Sequence, residues 1–113
     1  MAINAAGLTS ASAGFATAYP YLSLHTTGAV SSSASESTAP RVAASWVNTN
    51  GVLSITAKSF TGGAASGPVV RVGYWSAATA GTYGGGSLLT GDQAFNAAGQ
   101  YTVNTLTETP TAS

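Results

Sequence analysis

In the first nineteen residues the large apolar side chains are Ile3, Leu8, Phe15 and Tyr19, set in a background of Ala, Ser, Thr and Gly. The steps 8→15→19 place the last three on one face of a helix. Thr9 or Ser10 is the expected N-cap, and Gly7 and Gly14 lower the helical preference, so a short helix is predicted. From Tyr21 the period changes to two. Leu22 and Leu24 fall on one face of a strand, with Tyr21, Ser23 and His25 on the other.

Residues 27–40 are small, polar and without period, and read as a long loop, mobile unless a neighbour holds it, that Pro40 closes. A strand is expected over 41–47. Asn48-Thr49-Asn50-Gly51 follows as a turn, its Asn-Gly pair suited to the positive backbone angles of a tight hairpin. The next strand runs from Val52 to about Phe60, and 61–68 form a second loop. Residues 69–75 are the most strand-like run, with Val70, Val72 and Tyr74 opposite Val69, Arg71, Gly73 and Trp75. Strands at 83–89 and 100–106 complete the set. Gly84-Gly85-Gly86 weakens the first of these, and in the second Tyr101, Val103 and Thr105 alternate with Thr102, Asn104 and Leu106. Five or six strands joined by Gly/Ser/Asn turns predict a mainly β fold, an antiparallel β-sandwich or small barrel with a short N-terminal helix.

Composition narrows the picture. The 113 residues suffice for one domain, expected to span 1–113 with an N-terminal arm at 1–7 and a C-terminal arm at 107–113. Of the 44% hydrophobic residues nearly half are alanine, so few large side chains remain for a core. Charged residues are only 5%, and three positive charges balance three negative ones. Arg41, Lys58 and Arg71 cannot make a basic groove, which argues against nucleic acid as a partner. With no cysteine and one histidine, neither a metal site nor any other cofactor is expected. Apolar runs are too short for a membrane span. The N-terminus has neither the basic nor the Leu-rich region of a secretory signal, so synthesis in a cytoplasm is expected. A net charge of zero gives little colloidal repulsion and hints at life in an assembly.

Candidate chemistry is sparse. His25 could combine with Ser23 and Asp92 as a hydrolytic triad, but no nucleophile elbow surrounds any serine, and a structural hydrogen bond at the strand end is the simpler role. Glu36, Asp92 and Glu108 are the carboxylates. They are expected in a loop, a turn and the tail, where they do not suggest the facing pair of a glycosidase. The glycines at 62–63 and 84–86 precede no Lys-Ser/Thr and read as turn and kink residues rather than a phosphate cradle. Trp46, Tyr74, Trp75 and Tyr83 could stack on sugar rings, with Trp75 and Tyr83 the candidate glycan platform; the core has the prior claim on such aromatics. Arg41 and Arg71, in otherwise apolar strands, need solvent or a partner. Glu36 or a neighbouring subunit could supply one, so Ile3, Glu36, Arg41 and Arg71 are candidate assembly contacts. No catalytic residue is expected.

Several blocks resemble a known family. Tyr21-Leu22-Ser23-Leu24-His25-Thr26 is similar to the Y-x-S-L-H-T opening strand of small bacteriophage virion proteins, those described as tail fibre, minor tail or head decoration proteins. The likeness continues through Arg41-x-Ala43-x-x-Trp46, the run from Val72 to Tyr83, and Ala94 to Leu106. Leu8-Thr9 at the start of the helix also fits, so most of residues 8–107 are covered in the same order. The chain departs from the family pattern in two places. Thr27-Gly28-Ala29-Val30 replaces the family's A-D-P-G, and the helix carries alanine and serine instead of lysine and leucine. The resemblance implies a non-enzymatic structural protein on the outer surface of a phage particle. Small size and absent chemistry favour a capsid decoration protein; a tail fibre or minor tail protein, or a host-glycan-binding adhesin module, is the alternative. Its partners would be the major capsid protein or tail proteins, with the chain homo-oligomeric or bound to a lattice. Its place would be the virion, after synthesis in the host cytoplasm.

Overall fold

The computed structural model describes residues 5–28, 33–89 and 93–108. A helix α1 (Ala5–Ala18) is followed by β1 (Tyr21–His25), β2 (Val42–Ala43), β3 (Val47–Thr49), β4 (Val52–Phe60), β5 (Arg71–Trp75), β6 (Tyr83–Leu88) and β7 (Tyr101–Glu108). They form two antiparallel sheets, one ordered β2-β1-β5-β6 and the other β3-β4-β7. The expected mainly β architecture with a short N-terminal helix is the one observed. Leu22, Leu24, Val72 and Tyr74 from the first sheet meet Ile55, Phe60, Val103 and Leu106 from the second in one buried cluster, the dry interior that a sandwich requires.

The helix is longer at its start than the sequence predicts. Residues 5–7, assigned to an arm, are helical, and Thr9 and Ser10 lie inside the helix rather than capping it. Alanine-rich sequence carries little side-chain cost in a helix, so α1 extends back past its first large apolar residue. Its inward side carries the buried Ser12 with half-buried Leu8 and Phe15, and the half-buried Tyr19 follows just past its end. Ser12 Oγ donates to the Gly51 carbonyl, and Asn48 Nδ2 donates to the Thr9 carbonyl at 3.0 Å, fastening the helix to the β3–β4 hairpin. At the other end Phe15 packs edge-on against Trp46 and Tyr74, and the Trp46 indole N–H reaches the Tyr19 carbonyl at 3.0 Å.

The single strand expected over 41–47 is divided between the sheets as β2 and β3. Ser45, at φ 53°, turns the chain between them. Asn50 and Gly51, at φ 51° and 90°, make the tight hairpin that their sequence predicts. Thr107 and Glu108, assigned to the C-terminal arm, are the last residues of β7. The strict alternation expected in β7 also fails: Val103 and Leu106, of opposite parity, both face the core. Opposite them β4 carries Ala57 at φ 32°, and the ladder passes over Ala57 while keeping one register on either side. Ile55 and Phe60 are thereby both turned inward, although five positions separate them.

The loop expected to be mobile unless a neighbour holds it is partly stitched down within the chain. Leu24 accepts from Ser37 N at 2.8 Å and Thr26 N donates to Ser35 O at 2.9 Å, so residues 35–37 run beside β1 and bury Ala39. Ile3 and Asp92 lie outside the described residues, as do 1–4, 29–32 and 109–113.

Candidate functional site

Because Leu22, Leu24, Val72 and Tyr74 point into the core, the intervening residues of β1 and β5 point to the outer face of the four-stranded sheet. His25 stands opposite Arg71 and Ser23 opposite Gly73, while Trp75 pairs with Tyr83 on β6. Gly73 carries no side chain, and its neighbours occupy the vacancy. A Cβ there would lie 2.5 Å from His25 Nε2 and 2.6 Å from Ser23 Oγ. Ser23, His25 and Arg71 are all completely buried, so this face of the sheet has an interior of its own.

The hydrogen bonds fix the chemistry. His25 Nδ1 lies 2.9 Å from the Ala34 carbonyl, which can only accept, so Nδ1 carries the proton of the neutral ring. Nε2 is then an acceptor, and Ser23 Oγ donates to it at 2.6 Å. Ser23 Oγ in turn accepts from Trp75 Nε1 at 2.8 Å. Arg71 spends its fork on neutral oxygens: Nε on the Thr27 carbonyl at 2.7 Å, Nη2 on the Ala34 carbonyl at 2.8 Å, and Nη1 on the Tyr83 hydroxyl at 2.6 Å. The Ala34 carbonyl thus accepts from both His25 and Arg71, which together with the Arg71–Thr27 bond hold Thr27 and Ala34 to the sheet.

Arg41 closes the assembly. Its guanidinium grips Glu36 through two bonds, of 2.9 and 3.0 Å, and its Nη1 bonds the Ala77 and Ala80 carbonyls at 2.9 and 2.7 Å. It also lies 3.6 Å above the centre of the Trp75 ring, a cation–π contact. One side chain therefore ties the 33–37 segment, the 76–82 loop and the outer-face indole together. Tyr83 packs edge-on against Trp75 at 5.3 Å and against His25 at 5.9 Å.

The candidate residues fall into place accordingly. Of the assembly candidates, Glu36, Arg41 and Arg71 make these bonds within the chain. Trp75 of the glycan platform is 8% exposed, with Arg41 over its ring. Ser23 and His25 do meet, in the hydrogen-bond order of a nucleophile and its base, with a backbone carbonyl where a triad has its carboxylate. Glu108 accepts from the Tyr74 hydroxyl at 2.8 Å, on the core side of the same sheet. Burial, reinforced by that carboxylate, raises the Tyr74 pKa far above the ordinary phenol value. Gly63 accommodates the Phe95 ring and Gly84 the Tyr19 ring, so both glycine runs serve close packing. Among the described residues, Ser37 Oγ is the buried side-chain polar atom without a partner, and no cluster of potential metal ligands occurs. No helix of the described residues is long and apolar enough to cross a membrane.

Sequence parity already places Ser23, His25, Arg71 and Trp75 on one side of their strands. It does not reveal the Ala34 carbonyl or the Arg41–Trp75 contact, since both depend on where the loops return. The vacancy at Gly73 becomes visible only once β1 is known to lie beside β5.

The network makes acid sensitivity an expected property. Burial lowers the His25 pKa; the Ala34 carbonyl and Glu36 act upward, and Arg71 and Arg41 downward. A histidine depressed on folding leaves stability intact above its unfolded value, about 6.5. Below that pH the unfolded chain takes up a proton that the folded chain refuses, and stability falls until the lowered folded pKa is reached. Urea midpoints should therefore decline between pH 7 and pH 5, before most carboxylates titrate. The decline should be much smaller in His25→Asn, and an identical slope in the variant would rule out this origin. No protein family, no curated protein and no solved structure matches the chain.

Proposed function

We propose that the chain is a non-enzymatic structural protein of a bacteriophage particle, displayed on the outer surface as a capsid decoration protein. The observation that carries the reading is the sealed outer face of the four-stranded sheet. The blocks that resemble the virion family, Tyr21–Thr26, Arg41 to Trp46 and Val72–Tyr83, contribute Ser23, His25, Arg41, Trp75 and Tyr83 to that single network. Those polar groups fasten two loops to a sheet. The Ser23–His25 pair, fully buried and already engaged by Trp75 and Ala34, supports a structural role over nucleophilic catalysis, which needs an approachable oxygen.

A sheet whose outer face is held under locked loops offers a rigid body for repeated docking on a symmetric lattice. Immunogold electron microscopy of intact particles, with antibody raised against this chain, tests the proposal. Gold distributed over the head is the expected result. Gold confined to the tail would replace the capsid position with a tail one, and unlabelled, well-preserved particles would overturn the surface assignment.

A further inference from the structure

Sheets end in edges, and among the described residues there are four. β2 and β3 span two and three residues, too short to template a partner strand. β6 is interrupted by a register shift opposite Tyr74 and Trp75, and a bulge of this kind twists an edge away from pairing. β7 is different. Seven of its eight residues pair with β4, its one neighbour in the sheet among the described residues, and in one register throughout. It contains no proline, lysine or arginine, the residues that natural proteins place on edges to block association. Threonine and valine make it a strong strand former.

The direction of its backbone groups follows from the hairpin. The two-residue Asn50-Gly51 turn makes Thr49 and Val52 the hydrogen-bonded closing pair. Along β4, Val52 and Ser54 then address β3, while Leu53 and Ile55 address β7. Thr107 stands opposite Ser54, so its N–H and C=O point to the open side.

The kink at Ala57 decides what can pair there. In a regular strand, residues five apart face opposite sides of the sheet, so they cannot stand opposite one another across a two-fold axis. In β7, Thr102 and Thr107 are both exposed, Val103 and Leu106 are both in the core, and Tyr101 and Glu108 are both half-buried. Over these three pairs the facing pattern therefore reads the same in both directions.

We propose that β7 is a self-pairing edge: two copies of the chain join antiparallel through Tyr101–Glu108 about a two-fold axis, with Thr102 of one opposite the partner's Thr107. Threonine pairs across strands are favourable. The strand's one charge, Glu108, faces the partner's Tyr101 and not a second carboxylate. With zero net charge, the approach of two copies meets no long-range repulsion. The result is a continuous six-stranded sheet, two three-stranded sheets joined edge to edge.

Sedimentation equilibrium tests this independently of any virion. The wild-type chain should show twice the 11.0 kDa of one copy, and Thr107→Pro, which removes an outward N–H and spares the β4 ladder, should show half that mass while keeping its far-ultraviolet circular dichroism. The register has its own test, because the chain has no cysteine. Oxidised Thr102→Cys/Thr107→Cys should give a covalent dimer, since directly opposed residues are about 5.5 Å apart. Thr107→Cys alone should not, because its copy lies five positions away, roughly 17 Å. A wild-type monomer at every concentration, a dimer unchanged by the proline, or equal cross-linking of the single and double variants would overturn the proposal.

Discussion

Replacing Arg71 with alanine is expected to destabilise the fold by about 4 kcal/mol, read as a lower midpoint of urea denaturation. The guanidinium is fully buried and donates to Thr27, Ala34 and Tyr83. Truncation removes a charged donor from the Thr27 carbonyl, and a hydrogen bond to a charged group contributes roughly 1.5–3 kcal/mol. A cavity the size of the lost side chain adds to this. Arg71→Lys should recover only part of the loss, because an ammonium cannot reproduce a planar fork aimed at three separate oxygens. Hydrogen exchange should localise the damage. Thr26 N, bonded to Ser35 O, should lose protection, while amides of β4 keep theirs relative to the new global stability. A loss below about 1 kcal/mol would mean that solvent replaces these bonds freely, and the face would not be sealed.

Gly73→Ala is expected to cost about 3 kcal/mol, against the usual slight gain from such a change in an ordinary backbone conformation. The added methyl would lie 2.5 Å from His25 Nε2, 2.6 Å from Ser23 Oγ and 2.9 Å from Tyr83 Cε1. The first two atoms are bonded to each other at 2.6 Å, and each is held by a further partner, so neither can retreat without losing a bond. The effect should be strongly non-additive. In a His25→Ala background the methyl finds space, so Gly73→Ala should cost much less there than in the wild type. Equal costs in the two backgrounds would show that the glycine is needed for some reason other than the imidazole.

Both predictions concern groups whose types are plain in the sequence and whose partners are not. The period of two through Tyr21–His25 and 71–75 correctly separates core from outer face; it fails just before, where Val69 and not Val70 joins the core. The Asn-Gly pair specifies its hairpin, and the 8→15→19 spacing identifies the buried face of α1. These features are local, set by backbone sterics within a few residues, and are therefore legible one element at a time. The break of residues 41–47 into two strands is not. Nothing about Ser45 marks it as the crossing point between sheets, because the strain of its left-handed backbone is repaid only by contacts that both sheets make later.

The same reasoning explains β7. Alternation predicts that Val103 and Leu106 face opposite sides, which holds for any straight strand. Ala57 adopts an angle that costs an alanine about 1 kcal/mol, and in return Ile55, Phe60, Val103 and Leu106 all enter one core. A period count on a single strand cannot weigh that exchange, since the residue that bends is on β4 and the beneficiary is on β7.

From the sequence alone come the β class, the helix, the hairpin and the side of β1 and β5 on which the polar residues stand. These follow from local geometry and from the scarcity of charge. The tertiary structure decides which of those polar residues meet. It brings loop carbonyls at Thr27 and Ala34 to Arg71 and His25, and it lays Arg41 over Trp75. Among the described residues it also leaves β7 at an open edge. Each of these depends on segments far apart in the chain arriving at the same place, and only the packing of the two sheets determines where they arrive.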